Sequence, residues 1–201
     1  MKALLLIDLQ NDFLPGGALA VPRGDEVLAP ANGLQAGFEL IVATQDWHPK
    51  NHVSFAANHP DKHPGDVIEV DGLRQVLWPI HCVAETTGAA FSPKLNTTRI
   101  ARVFRKGTDP LVDSYSGFFD NGHRRGTGLA EFLHERNATE VYVLGLATDY
   151  CVKFTALDAR RLGLRTFLVA DACRGVDRTT GDVTAAIAEM RRAGVEIVAG
   201  S

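Results

Sequence analysis

Six short apolar runs recur along the chain, and they constrain its fold more than any other feature. They are residues 3–9 (ALLLIDL), 40–44 (LIVAT), 100–104 (IARVF), 141–146 (VYVLGL), 166–170 (TFLVA) and 195–199 (VEIVA). Most lack the apolar/polar alternation of a half-exposed antiparallel strand. Continuous apolar strands suit a parallel sheet covered on both faces. Helical stripes lie between them in the C-terminal half. Val183, Ala186, Ile187 and Met190 follow helical spacing, with Gly194 as a stop. Val152, Thr155, Ala156 and Ala159 form a second stripe, with Thr148 or Asp149 as candidate N-cap and Gly163 as stop. Leu129, Phe132 and Leu133 mark a third helix. Strand–helix alternation predicts a doubly wound α/β domain with right-handed crossovers.

Residues 47–99 break this rhythm. They are rich in His, Pro, Asn, Asp and Gly, yet hold Trp47, Phe55 and Trp78, so an ordered functional excursion is expected rather than disorder. No linker or repeat divides the chain, and residues 1–201 read as one domain. A net charge of −3 lacks the basic stripe of a nucleic-acid binder. No run reaches the ~20 apolar residues of a membrane helix. The N-terminus, with Asp8 and Asp12 directly after its short apolar run, reads as a strand and not a signal peptide. Three cysteines without a CxxC point to a reducing cytoplasm. Gly126-Thr-Gly128 has no third glycine and follows no strand, so a dinucleotide site lacks support.

Ligands of an open parallel sheet bind beyond the carboxyl ends of its strands. Asp8 stands there after the first run, Asp46 and His48 after the second, Lys106 after the third and Cys151 after the fourth. This is a coherent set for acyl transfer from an amide through a thioester. A free thiol is only a few per cent ionised at neutral pH. The helix start and the Lys106 ammonium are expected to lower the Cys151 pKa. Asp8 can take the thiol proton and return it to a leaving amine. Backbone N–H groups of Cys151 and of a residue within 145–149 can face the oxyanion. Five of the seven histidines, His48, His52, His59, His63 and His81, fall within residues 48–81. Asp46, His48 and His81 make a three-ligand set. Nitrogen and oxygen ligation without thiolate suits Zn²⁺, Fe²⁺ or Mn²⁺ and does not choose among them; one divalent ion is expected, zinc foremost. Any one of these residues alone has a duller explanation, as a turn cap, a solvated charge or a small buried apolar group.

The segments IDLQNDF (7–13), TQDWHPKNHVSF (44–55), WPIHCV (78–83), RKG (105–107), DSYSGF (113–118), GLATDYCV (145–152) and DACRGV (171–176) occur in this order. Together they closely resemble the nicotinamidase/pyrazinamidase branch of the isochorismatase-like cysteine hydrolase superfamily, over essentially the whole chain. The resemblance implies a three-layer α/β/α fold with a six-stranded, mainly parallel sheet. It implies hydrolysis of nicotinamide to nicotinate and ammonia in NAD salvage, and of pyrazinamide to pyrazinoate. It places the catalytic triad on Asp8, Lys106 and Cys151, and the metal ligands on Asp46, His48 and His81. It places the oxyanion hole on the N–H groups of Ala147 and Cys151, with a cis Leu146–Ala147 peptide. The aromatic clamp falls on Phe13, Trp78 and Tyr115, with Leu19 beside it. The fourth ligand varies among such enzymes: His52, Ser54, His63 or water are the candidates here. His59, His123 and His134 read as surface residues, and Cys82 and Cys173 as bystanders.

The competing readings are a superfamily amidase for an N-carbamoyl or ureido substrate and a non-catalytic ligand-binding relative. The expected partners are small amides (nicotinamide, pyrazinamide), with no nucleic acid and no membrane. The chain is expected to be a cytoplasmic monomer or small homo-oligomer.

Overall fold

All six apolar runs enter one sheet. The structure, a computed structural model, describes residues 1–200. Its strands are β1 (Lys2–Ile7), β2 (Leu40–Asp46), β3 (Val67–Val70), β4 (Leu73–Val76), β5 (Arg102–Lys106), β6 (Glu140–Leu146), β7 (Arg165–Arg174) and β8 (Glu196–Val198). Its α-helices are α1 (Leu28–Leu34), α2 (Leu129–Glu135), α3 (Lys153–Arg161) and α4 (Asp182–Arg192). Among the described residues, six strands form a sheet in the order β5-β2-β1-β6-β7-β8, every neighbouring pair parallel. Parallel pairing needs crossovers that lay helices against the sheet, and β1 and β2 are correspondingly buried along nearly their whole length. No helix among the described residues is long and apolar enough to cross a membrane.

The strand order turns at β1. The chain first runs outward to β2 and β5, then returns to place β6 on the other side of β1. The crevice beyond the β1 and β6 ends is thus the topological switch point, where open α/β sheets hold their ligands.

Several boundaries differ from the sequence reading. Strand β1 stops at Ile7, because Asp8 takes a positive φ of 50° and turns the chain out of the sheet. Strand β5 lies two residues later than expected and ends on Lys106, paired across from Asp46. Strands β3 and β4 form an antiparallel hairpin inside the excursion, turned by Asp71-Gly72 with both φ positive. That Asp-Gly pair is a strong hairpin signal that went unread. The seven-residue α1 was also missed, since Pro30 and Gly33 blur its pattern. Neither Thr148 nor Asp149 caps α3. Residues Thr148–Val152 form a π-helical turn instead. The Asp149 carboxylate accepts N–H bonds from Val176 (3.0 Å) and Asp177 (2.8 Å) in the β7–α4 loop.

Candidate active site

Asp8, Lys106 and Cys151 come from three strand ends into one buried cluster. Lys106 Nζ stands 2.9 Å from Asp8 Oδ2 and donates to Cys151 Sγ (3.3 Å), to Ser114 O (3.0 Å) and to Asp46 Oδ1. Thr44, buried near the end of β2, donates its hydroxyl to Asp8 Oδ1 at 2.6 Å. Asp8 Oδ2 is fully buried and receives no aligned hydrogen bond, its lysine contact being an ion pair only. A carboxylate oxygen of Asp8 and Cys151 Sγ lie within 4.8 Å of each other.

Electrostatics here correct one expectation. Burial pushes the Cys151 thiol well above its usual pKa, and Lys106 only partly opposes it, while Asp8 adds to the rise. The resting side chain is a thiol and not a thiolate. Burial likewise raises the Asp8 carboxyl above its usual value against the pull of Lys106. Burial alone would lower Lys106, but Asp46, Asp8 and Cys151 raise it well above the ordinary lysine value, so it stays charged.

Asp46, His48 and His81 offer ligand atoms that all lie within 4.8 Å of one another. The Nε2 atoms of His48 and His81 are 3.5 Å and 3.9 Å from Asp46 Oδ2. Their Nδ1 atoms pair with Gly107 O and Pro79 O, both at 2.8 Å, which turns each Nε2 inward. Gly107 has φ +61°, and a Cβ there would sit 2.3 Å from the His48 ring. Lys106 and His48 together hold Asp46 well below the usual carboxylate range despite its burial. Burial pulls the His81 pKa down to about 4, whereas at His48 the Asp46 carboxylate overrides burial and raises it.

The fourth-ligand candidates separate. His63 is exposed and is in none of the groups whose ligand atoms converge. Ser54 Oγ is 2.7 Å from His52 Nδ1. The His52 ring lies 4.2 Å from that of His48, and its Nε2 is a buried nitrogen with no partner. An orphaned buried nitrogen beside an Asp–His–His set suits a metal ion. His59 is half-buried, bonded to Val53 O, where a surface position was expected. His134 is exposed, and His123 pairs with the buried Asp158.

A cavity opens over these groups. Phe13, Leu19, Trp78, Tyr115, Ala147 and Cys151 all line it, together with Asp46, His48 and His81. The Leu146–Ala147 peptide is cis. The Ala147 N–H donates to no acceptor among the described residues. Val21, Asp113, Tyr150 and Val176 line the same cavity and were not singled out from the sequence. Tyr150 sits inside the GLATDYCV segment and was findable from it. Val176 and Thr44 likewise sit inside the DACRGV and TQDWHPKNHVSF segments and were findable from them.

Comparison with known proteins agrees with this picture. The family model described as "Isochorismatase domain" matches residues 2–200. A nicotinamidase of Escherichia coli (strain K12) is 50% identical over 200 residues, covering 98% of this chain and 93% of that protein. The structure of an Acinetobacter baumanii nicotinamidase/pyrazinamidase superposes with a TM-score of 0.96 at 46% identity, over 99% of this chain and 96% of that one. A Pyrococcus horikoshii pyrazinamidase in complex with zinc superposes with a TM-score of 0.82 at 38% identity, over 98% of each chain.

Proposed function

The chain belongs to the isochorismatase domain family, and we infer that within it the protein is a nicotinamidase, an amide hydrolase that converts nicotinamide to nicotinate and ammonia and also takes pyrazinamide. One observation carries the mechanism: Asp8, Lys106 and Cys151 meet in a buried cluster whose Cys151 lines a cavity also lined by Asp46, His48 and His81.

The flat ring lies between Phe13, Trp78 and Tyr115, with Leu19 at its edge. Asp46, His48 and His81, with the unpartnered Nε2 of His52 beside them, would hold a divalent ion, zinc foremost. When bound, that ion supplies a Lewis-acidic anchor for the ring nitrogen. The walls formed by Phe13, Trp78 and Tyr115 present ring and amide to Cys151 in one orientation, which removes much of the entropic part of the barrier.

Because the resting thiol is protonated, attack and proton loss are coupled. Asp8 Oδ2 accepts the proton as Cys151 Sγ bonds to the amide carbon. The oxyanion faces the N–H groups of Ala147 and Cys151, and losing one such donor costs ~10²–10³ in rate. Asp8 then passes its proton to the departing nitrogen, releasing ammonia and leaving a thioester. A water molecule gives its proton to Asp8 and attacks the thioester carbon. The C–S bond then breaks, Asp8 returns its proton to Cys151 Sγ, and the acid product leaves and ionises to nicotinate. Lys106 stays charged throughout, holding Asp8 in place and stabilising negative charge on sulfur.

The test is ammonia release from nicotinamide by wild type and Cys151→Ala, with metal content measured on both. Cys151→Ala is expected to lose about four orders of magnitude or more in rate while retaining its metal. Turnover by the variant would sink the mechanism. A wild type active only on N-carbamoyl amides would sink the substrate.

A further inference from the structure

The cavity is built from two parts of the chain that are far apart in sequence. Trp78 and His81 come from the excursion, while Ala147, Tyr150, Cys151 and Val176 come from the β6–π-turn region and the β7–α4 loop. The distance between these walls sets the width of the slot for a flat ring.

Among the described residues, one hydrogen bond joins the excursion, residues 47–99, to residues 145–181. Arg178 donates from its guanidinium to Gly65 O at 2.7 Å. The same guanidinium lies over the Trp78 ring, 5.7 Å from its centroid, within range of a cation–π contact. Its positive charge also opposes the burial that raises the Tyr150 pKa. Tyr150 and Trp78 meet edge-to-face at 4.9 Å. Rooted in the β7–α4 loop beside Val176, one planar, five-donor group thus reaches across to Gly65 and Trp78 of the excursion.

The base of Arg178 is fixed as well. Asp149, two residues before the nucleophile, binds the N–H groups of Val176 and Asp177. The chain of contacts runs from the nucleophile turn through Asp149 to Arg178, and from Arg178 to Gly65 and Trp78. Arg178 does not itself line the cavity.

We propose that Arg178 is a positioning residue that ties the Trp78 wall to the Tyr150–Cys151 wall and so sets the ring width the cavity accepts. It acts through those two aromatic side chains and touches neither substrate nor the reacting atoms. The proposal rests on the amidase reading for its substrates, though not for its binding readout.

The experiment compares wild type, Arg178→Ala and Arg178→Lys in steady-state ammonia release from nicotinamide and from 5-methylnicotinamide, with nicotinate affinity measured by calorimetry. Losing one hydrogen bond and one cation–π contact predicts an Arg178→Ala KM for nicotinamide raised about tenfold, with kcat within about twofold. Nicotinate affinity falls in parallel, and the preference for nicotinamide over its methylated analogue narrows. Arg178→Lys keeps the cation but not the fork, and recovers part of each change. Unchanged KM, nicotinate affinity and ring preference in Arg178→Ala would overturn the proposal, as would a fall in kcat alone. If the wild type releases no ammonia, the amidase reading fails by itself, and nicotinate affinity still decides the role of Arg178.

Discussion

At Cys151, burial and neighbouring charge pull in opposite directions, and burial prevails. Sequence order alone put an ammonium and a helix start near the thiol and so suggested a thiolate. The enclosure that reverses this is contributed by residues remote in sequence. Asp8 is then the group whose titration matters. Its pKa is raised, so activity should be complete above that value and fall as pH drops through it, once the carboxyl no longer accepts the thiol proton. Thr44 favours the charged carboxylate through its 2.6 Å hydrogen bond. Thr44→Val should therefore move the acid limb of kcat/KM upward by about half a unit to one unit, whereas Thr44→Ser should leave it in place. A limb that stays put in Thr44→Val would show that Asp8 is not the titrating group. Burial raises all three thiols, so location separates them: Cys151 lines the cavity and accepts a hydrogen bond from Lys106, whereas neither Cys82 nor Cys173 lines it. Of the five clustered histidines, only His48, His52 and His81 come together. Counting exposed the cluster, and burial sorted it.

At the scale of elements, strand ends carry the chemistry, and strand existence was easier to read than strand ends. Long apolar runs announce a strand, but the last paired residue depends on the neighbouring strand. Thus β5 slid to put Lys106 in register with Asp46, side by side rather than loosely beyond the sheet. Where β1 meets β6, Gly145 pairs with Ile7 at φ +126°, and a Cβ would sit 2.2 Å from Ile7 O. That backbone oxygen cannot yield without moving β1 and Asp8 with it. Gly145→Ala is accordingly expected to cost about 3 kcal/mol or more, read from urea unfolding. A loss under about 1 kcal/mol would mean that the two strands can separate freely. The π-helical turn after β6 lay beyond pattern reading, because local propensity does not distinguish it from a first α-turn.

For the whole molecule, the histidine-lined site links stability to pH. His52 and His81 are both brought down to about 4, mainly by burial, while an unfolded chain titrates them near 6.5. Between those values the unfolded state binds more protons. Their contribution is therefore complete above about pH 6.5 and is lost as pH falls toward 4. His48, whose pKa is raised, acts in the opposite sense but is one against two. Chelator-treated protein should show a falling melting temperature from pH 7 to 4.5, amounting to a few kcal/mol. Added zinc should raise the melting temperature at pH 7 and do so less at pH 4.5, as protons compete for the ligands. A metal-induced gain independent of pH would argue against histidine ligation. The sequence by itself determined the parallel α/β sheet, the residues at its strand ends and the family, because hydrophobic period and ordered motifs are local and additive. Only the tertiary structure decided which histidines converge, that the nucleophile rests as a thiol, and that Arg178 alone bridges the two walls by a hydrogen bond among the described residues. Those properties depend on desolvation and on distances between segments remote in sequence, and no spacing along the chain records them.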